Sequence, residues 1–324
     1  MTRIAYQFEY PGTNFQNHPK EVVFRFFDSE QSLIAAIITD QVDFALTESR
    51  FAAMEVEKST LAYRIHFRYK LPNYVKLLAY NNENPLLKDS VIRKALTYAI
   101  DRNYIIERLL NQSAYSADGP LSKEAQLHST NLDEYDYNPR KAQQLLAAEN
   151  WEDVNNDGIL EKNGKPFRLV LTYEKGALLD EQIVRLIKIE WSKLGIDVTR
   201  NPLIKSEIKQ VMKQRDYDVL LMNYQFHETI ESFEDFFQSS GPNNILNYAS
   251  DRVDRYFQRY RLVPKQSQKE IFKEGIQIEI NKDHPAAFLF FLWLDHYFVN
   301  RSKFRNFQDS KGKLLPFTDW ILIK

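Results

Sequence analysis

The stretch from residue 167 to 222 constrains the fold more than any other part of the chain. Residues 167–173 form a block of strand formers. The next segment places Ile183, Leu186, Ile187, Trp191 and Leu194 at helical spacing, and Gly195 stands where such a helix needs a left-handed stop. Residues 196–198 read as a second strand, and Ser206 is expected to cap a short helix running to Gln214. Residues 217–222 are then almost continuously apolar, as a strand is when both faces of a sheet are covered. This β-α-β-α-β alternation predicts an α/β fold with mixed, mostly parallel sheets.

Other segments repeat the theme. Residues 22–27 read as a strand, Asp28 as a helix cap with Gln31 at the capping-box position, and Leu33, Ala36 and Ile37 as the apolar stripe of the helix. Residues 42–46 read as the returning strand, so 21–46 predicts a right-handed, parallel β-α-β unit. Residues 74–80 form another strand, followed by a helix opening near Asp89 with Ile92, Leu96, Ala99 and Ile100 on one face. Asn138 is a favourable N-cap and Pro139 fits the first helical position, with Trp151 closing the far end of that helix. Residues 230–260 read as mostly helical. A further helix through Ile271, Phe272, Ile276 and Ile280 should end before the Asp283-His284-Pro285 turn. Residues 286–294 and 319–323 read as the last strands.

Composition removes several classes of function. The chain has 324 residues and a net charge of −1, so no overall field draws it to nucleic acid or anionic lipid. It has no cysteine, which excludes thiolate nucleophiles, disulfides and Cys-ligated zinc. Neither G-x-G-x-x-G nor a P-loop occurs, nor does H-E-x-x-H or G-x-S-x-G. No apolar run is long enough to span a membrane. The first residues, Met1-Thr-Arg-Ile-Ala-Tyr-Gln-Phe, carry no signal-peptide apolar region. Aromatic residues are frequent, at 14% of the chain, and serve either a ring-rich core or the lining of a cleft.

Three stretches carry a family resemblance when read together. They are Asp89-Ser-Val-Ile-Arg-Lys-Ala-Leu-Thr-Tyr-Ala-Ile-Asp-Arg102, Tyr137-Asn-Pro-Arg-Lys-Ala-Gln-Gln-Leu-Leu146 and Trp151-Glu-Asp-Val-Asn-Asn-Asp-Gly-Ile-Leu-Glu-Lys-Asn-Gly-Lys165. In this order and spacing the chain resembles the oligopeptide/dipeptide/nickel class of extracellular solute-binding proteins, the receptors that feed ABC importers. The resemblance implies a two-lobed, type II periplasmic-binding-protein-like fold and no catalytic residues or cofactor. It also implies an extracytoplasmic monomer that takes a small solute, a peptide or peptide-like compound, and delivers it to ABC permease subunits by lobe closure. Full members are longer, so a truncated first lobe is expected: part of lobe one at 1–76, lobe two at 77–300, and a tail at 301–324 returning to lobe one. The alternative is a ligand-sensing module of a transcriptional regulator with the same fold.

Candidate ligand-binding residues follow from position and resemblance. In open α/β sheets ligands bind beyond the carboxyl ends of the strands, so the residues after Met222 are expected to leave the sheet and face a cleft. Tyr224 matches the aromatic that follows this strand in peptide binders. His227 or Glu228 falls where those proteins carry an aspartate for the peptide ammonium, a departure that bears on recognition of a free N-terminus. Trp293 lies near the end of the apolar strand 286–294, where the family often presents an aromatic to the ligand. Packing of Tyr224 and His227 on the lobe, and of Trp293 in the core, are the alternatives. Asp153, Asn155 and Asp157 begin a calcium-loop pattern, but its twelfth position is Gly164, so an Asx-stabilised turn leading to a hairpin is the favoured reading.

Overall fold

The computed structural model describes residues 3–7, 17–47, 55–56, 58, 64–69, 74–110, 114–123, 125–292, 295–300, 302–307 and 315–323. Its first elements are β1 (Arg3–Gln7), β2 (Glu21–Arg25), α1 (Glu30–Ile38), β3 (Phe44–Thr47), β4 (Arg64–Tyr69) and β5 (Tyr74–Tyr80). Then come α2 (Ser90–Tyr98), α3 (Arg102–Arg108), β6 (Ala114–Ser116), α4 (Pro139–Ala148), β7 (Glu161–Lys162), β8 (Lys165–Pro166) and β9 (Arg168–Glu174). These are followed by α5 (Leu178–Lys193), β10 (Asp197–Leu203), α6 (Lys205–Gln214), β11 (Val219–Gln225), α7 (Ile230–Phe237) and α8 (Asp251–Leu262). The last are α9 (Gln266–Asp283), β12 (Ala286–Leu292), β13 (Asp295–Asn300), β14 (Phe304–Arg305) and β15 (Ile321–Leu322). They sort into two units, one of residues 1–71, 176–179 and 293–324, the other of residues 72–175 and 180–292.

The second unit is built on a six-stranded sheet of order β10-β9-β11-β5-β12-β6. Its parallel character is confined to β10, β9 and β11, while β5 runs antiparallel to both β11 and β12. One face, carrying Val75, Leu77, Ala79, Leu220 and Phe288, packs against Phe233, Phe236 and Phe237 of α7, Val253 and Phe257 of α8, and Ile276 and Ile280 of α9. Lys76 alternates with Val75 and Leu77 and so points the other way. It meets Asp180 of α5, which places α5 over the opposite face. There Trp191 is fully buried and donates its Nε1–H to the Leu96 carbonyl at 2.9 Å. Gly195 ends α5 at φ +82°, with Ile196 N–H reaching back to the Trp191 carbonyl at 3.1 Å. An added Cβ there would sit 2.8 Å from Leu160 Cγ, so the position needs glycine for both its backbone and its space.

In the first unit β1 and β2 pair antiparallel, and β13 lies between β3 and β4, antiparallel to each. Ile37 of α1 packs with Ala45, Val56 and Phe298. Val299, Phe307 and Trp320 form a second cluster with Phe44, Phe304 and Phe317. Lys303 bridges Asp40 at 3.2 Å and Asp43 at 2.7 Å.

Several local expectations are corrected. Residues 21–46 are not a parallel β-α-β unit: β2 pairs with β1 and β3 with β13, in different sheets. Ser29, not Asp28, caps α1, its side chain accepting from Ser32 N–H at 3.3 Å. The cap of α6 is Ile204, whose N–H is taken by the Glu207 carboxylate at 3.0 Å, so Ser206 lies inside the helix. The segment 230–260 is mostly helical as read, in α7 and α8, with the stretch 238–250 between them carrying no helix. Asn138 does cap α4, with Pro139 in its first turn. Trp151 is buried at the end of α4, its ring 4.5 Å from that of Phe167.

Candidate ligand-binding site

Strand β11 does not end at Met222. It continues through Asn223, Tyr224 and Gln225, which pair with Lys76, Val75 and Tyr74 of β5. The side chains of this extension alternate. Tyr224 and Phe226 fall on the face covered by α7, and Asn223 falls on the face of Lys76. Phe226 is fully buried, 5.1 Å from Phe236 and stacked on Phe237 at 5.7 Å. It fastens the strand exit to the core. Tyr224 is half-buried, its ring 4.6 Å from Phe226 and 4.5 Å from Phe236. Burial, with a smaller contribution from Asp235, holds its phenol above the usual range.

The residues after the strand are exposed but tied. His227 N–H donates to Ser232 Oγ at 3.1 Å, and Thr229 caps α7 by accepting from Ser232 N–H at 3.3 Å. Glu228 Oε2 accepts from Gln126 N–H at 2.9 Å, linking two segments 102 residues apart in sequence. Tyr224, His227 and Glu228 are thus brought together at the end of β11, the first as a strand residue. Trp293 lies outside the described residues.

On the opposite face the structure reveals a polar group that the sequence reading missed. Lys76 and Asp180 form a buried ion pair, with side chains 2% and 8% exposed. Asn223 is the register partner of Lys76 across β11 and β5, which puts both side chains on one face. Its Oδ1 is buried and has no hydrogen-bond partner among the described residues. The available signal was the single lysine in the apolar strand Y-V-K-L-L-A-Y.

The 153–161 loop is a hydrogen-bonded turn. The two Asp153 carboxylate oxygens accept from Asp157 N–H at 3.1 Å and Gly158 N–H at 2.9 Å. Asn155 Nδ2 donates to Asp157 Oδ2 at 3.0 Å and Glu161 Oε1 at 2.6 Å. It leads into the β7–β8 hairpin, turned by Asn163 and Gly164 at φ 54° and 72°. Among the described residues no three His, Asp or Glu side chains are grouped to hold a metal ion.

A family model for the middle region of the bacterial extracellular solute-binding proteins, family 5, matches residues 9–244. The chain belongs to this family. Within family 5, the oligopeptide-binding protein AppA of Bacillus subtilis is 30% identical over 221 residues, covering 66% of this chain and 40% of AppA. The nickel-binding periplasmic protein of Escherichia coli is 27% identical over 152 residues, 47% of this chain and 28% of that protein. The chain therefore spans less than half the length of these two relatives. Among solved structures, B. subtilis AppA in complex with a nonapeptide superposes with a TM-score of 0.81 at 24% identity, covering 94% of this chain and 61% of that one. NikZ of Campylobacter jejuni in complex with Ni(L-His) gives 0.79 at 20% identity, covering 98% and 65%. The α/β architecture of this family 5 chain, with its mixed sheets, is that of the type II periplasmic binding proteins.

Proposed function

We propose that the chain takes part in non-catalytic capture of a small solute, a peptide or peptide-like compound, for delivery to the permease subunits of an ABC importer outside the cytoplasm. The observation that carries this reading is the superposition of 94% of the chain on AppA, a protein solved with a nonapeptide. A peptide is favoured over a nickel complex because the AppA match is longer in sequence, 221 residues against 152. The two units serve as the two lobes, acting as a monomer without a cofactor. Ligand closes them by binding the closed form better than the open one, and about 5.5 kcal/mol of preference takes such an equilibrium from mostly open to mostly closed.

In this reading Tyr224 supplies a half-buried ring whose exposed edge packs against the solute. Glu228 and His227, exposed beside it, orient a polar end. Glu228 is the better candidate for an ammonium, because a carboxylate already held by Gln126 N–H is positioned before the ligand arrives. Trp293 is proposed as the second aromatic. The test is calorimetric titration of oligopeptides into the wild-type chain and Tyr224→Ala, with circular dichroism to verify folding. Loss of a ring contact should weaken binding by about tenfold. Unchanged affinity in a folded variant removes Tyr224 from the site, and no binding by the wild-type chain removes solute capture by this chain alone.

A further inference from the structure

The outward side of α5 carries a second stripe that the fold does not use. Its inward stripe buries Ile183, Val184, Ile187 and Trp191. Arg185, Ile189 and Lys193 follow one another at spacings of four residues on a different face, with Lys188 and Ser192 beside them. Ile189 is 46% exposed, an apolar side chain standing between two cations. Arg200 of β10, the edge strand of the sheet, forms the opposite wall. Together these residues line an open groove with a volume of about 530 Å³.

The charge in this groove is only partly matched. Lys193 pairs with Glu190 at 2.6 Å. Lys188 Nζ donates to the Val198 carbonyl at 2.7 Å, which fixes the ammonium without neutralising it. Arg185 and Arg200 form no ion pair among the described residues. Three uncompensated cations therefore surround an exposed isoleucine in a concave site. From Arg185 to Lys193 the stripe rises through eight residue steps, about 12 Å along a helix.

We infer that this groove is a docking site for an acidic segment of a partner protein. The segment presents two carboxylates about 12 Å apart with an apolar side chain between them, complementing Arg185, Ile189 and Lys193 along the helix, the Lys193 ammonium keeping donors beyond the one given to Glu190, while Arg200 closes on it from the strand. The site's concavity favours an inserted segment over a flat bilayer surface. On the reading proposed above, from which the identity of the partner follows, that segment belongs to the importer's membrane subunit.

The experiment uses the full 324-residue chain and a fluorescein-labelled alanine-based helical peptide containing Glu-Ala-Ala-Ala-Leu-Ala-Ala-Ala-Glu. Binding is read by fluorescence polarisation at about 0.15 M salt, where long-range attraction between exposed charges is screened. The double variant Arg185→Glu/Arg200→Glu should bind the probe at least about tenfold more weakly, and Ile189→Ser about threefold more weakly. Melting curves establish that both variants are folded. Equal binding by the double variant overturns the proposal, as does equal binding of a probe with leucine replaced by serine, because charge alone would then account for the attraction. Binding to vesicles of anionic phosphatidylglycerol with none to the peptide also overturns it, in favour of a membrane surface. Oligopeptide titration of the same samples separates this proposal from the solute reading. A wild-type chain that holds the acidic probe but no oligopeptide supports the groove and removes solute capture by this chain alone.

Discussion

The Lys76–Asp180 pair invites a double-mutant cycle, because its two charges are buried but not equivalent. Lys76 is held in a central strand, whereas Asp180 lies in the first turn of α5. Replacing Lys76 with Met leaves a carboxylate alone, and an unpaired buried charge costs about 3–5 kcal/mol. The positive end of the α5 dipole returns about 1 kcal/mol of this to an anion in the first turn. Lys76→Met should therefore destabilise by about 2–4 kcal/mol. Asp180→Asn leaves an ammonium with the wrong sign for that helix end, so it should lose about 3–5 kcal/mol. The double variant Lys76→Met/Asp180→Asn removes both charges and should fall within about 2 kcal/mol of the wild type. Urea unfolding at neutral pH, read through the midpoint and the m-value, measures all four corners. If each single variant lost less than about 1 kcal/mol, or if the two losses summed in the double variant, the pair would not be a coupled buried interaction and this reasoning would fail.

Two further predictions follow from buried and exposed polar groups. His284 is buried, with Nε2 2.7 Å from Thr97 Oγ1 and its ring 4.1 Å from that of Tyr135. Burial first, then the cations of Arg93, Lys94 and Arg102, hold its imidazole well below the ordinary range. An unfolded chain protonates this residue near pH 6.5 and the folded chain does not. Its contribution is therefore intact above that pH and falls by up to about 1.4 kcal/mol per unit on acidification below it. The stability slope between pH 6.5 and 5.5 should flatten in His284→Gln, and parallel slopes refute the assignment. In the 153–161 loop, both Asp153 oxygens are already engaged by backbone N–H groups. Millimolar calcium should leave the melting temperature unchanged, and a rise of several degrees overturns the turn reading.

The parts of the fold legible in the sequence were those where one period persists. The strands and helices between 167 and 222 are set by local alternation and by stops such as Gly195. Pairing across long separations was not legible. Residues 21–25 and 44–47 flank a helix as a crossover would, yet their hydrogen-bonding partners are β1 and a strand some 250 residues later. The end of β11 was misread for a related reason. Asn223, Tyr224 and Gln225 have the composition of a strand exit, and only the ladder offered by Tyr74, Val75 and Lys76 keeps them in the sheet. The caps at Ser29 and Ile204 lie one or two residues from the more obvious candidates, because Ser32 and Glu207 supply the local partners. Lys76 in a strand reads as a surface residue until Asp180, 104 positions away, is seen to meet it.

The place of β13 bears on how the chain is made. This strand lies between β3 and β4, but the ribosome synthesises it more than 200 residues after them. At about 5–20 residues per second, the earlier strands wait on the order of ten seconds or more without the neighbour that joins them. The small sheet is therefore among the last parts of the chain to assemble. During that interval its open edges are the natural target for a holding chaperone.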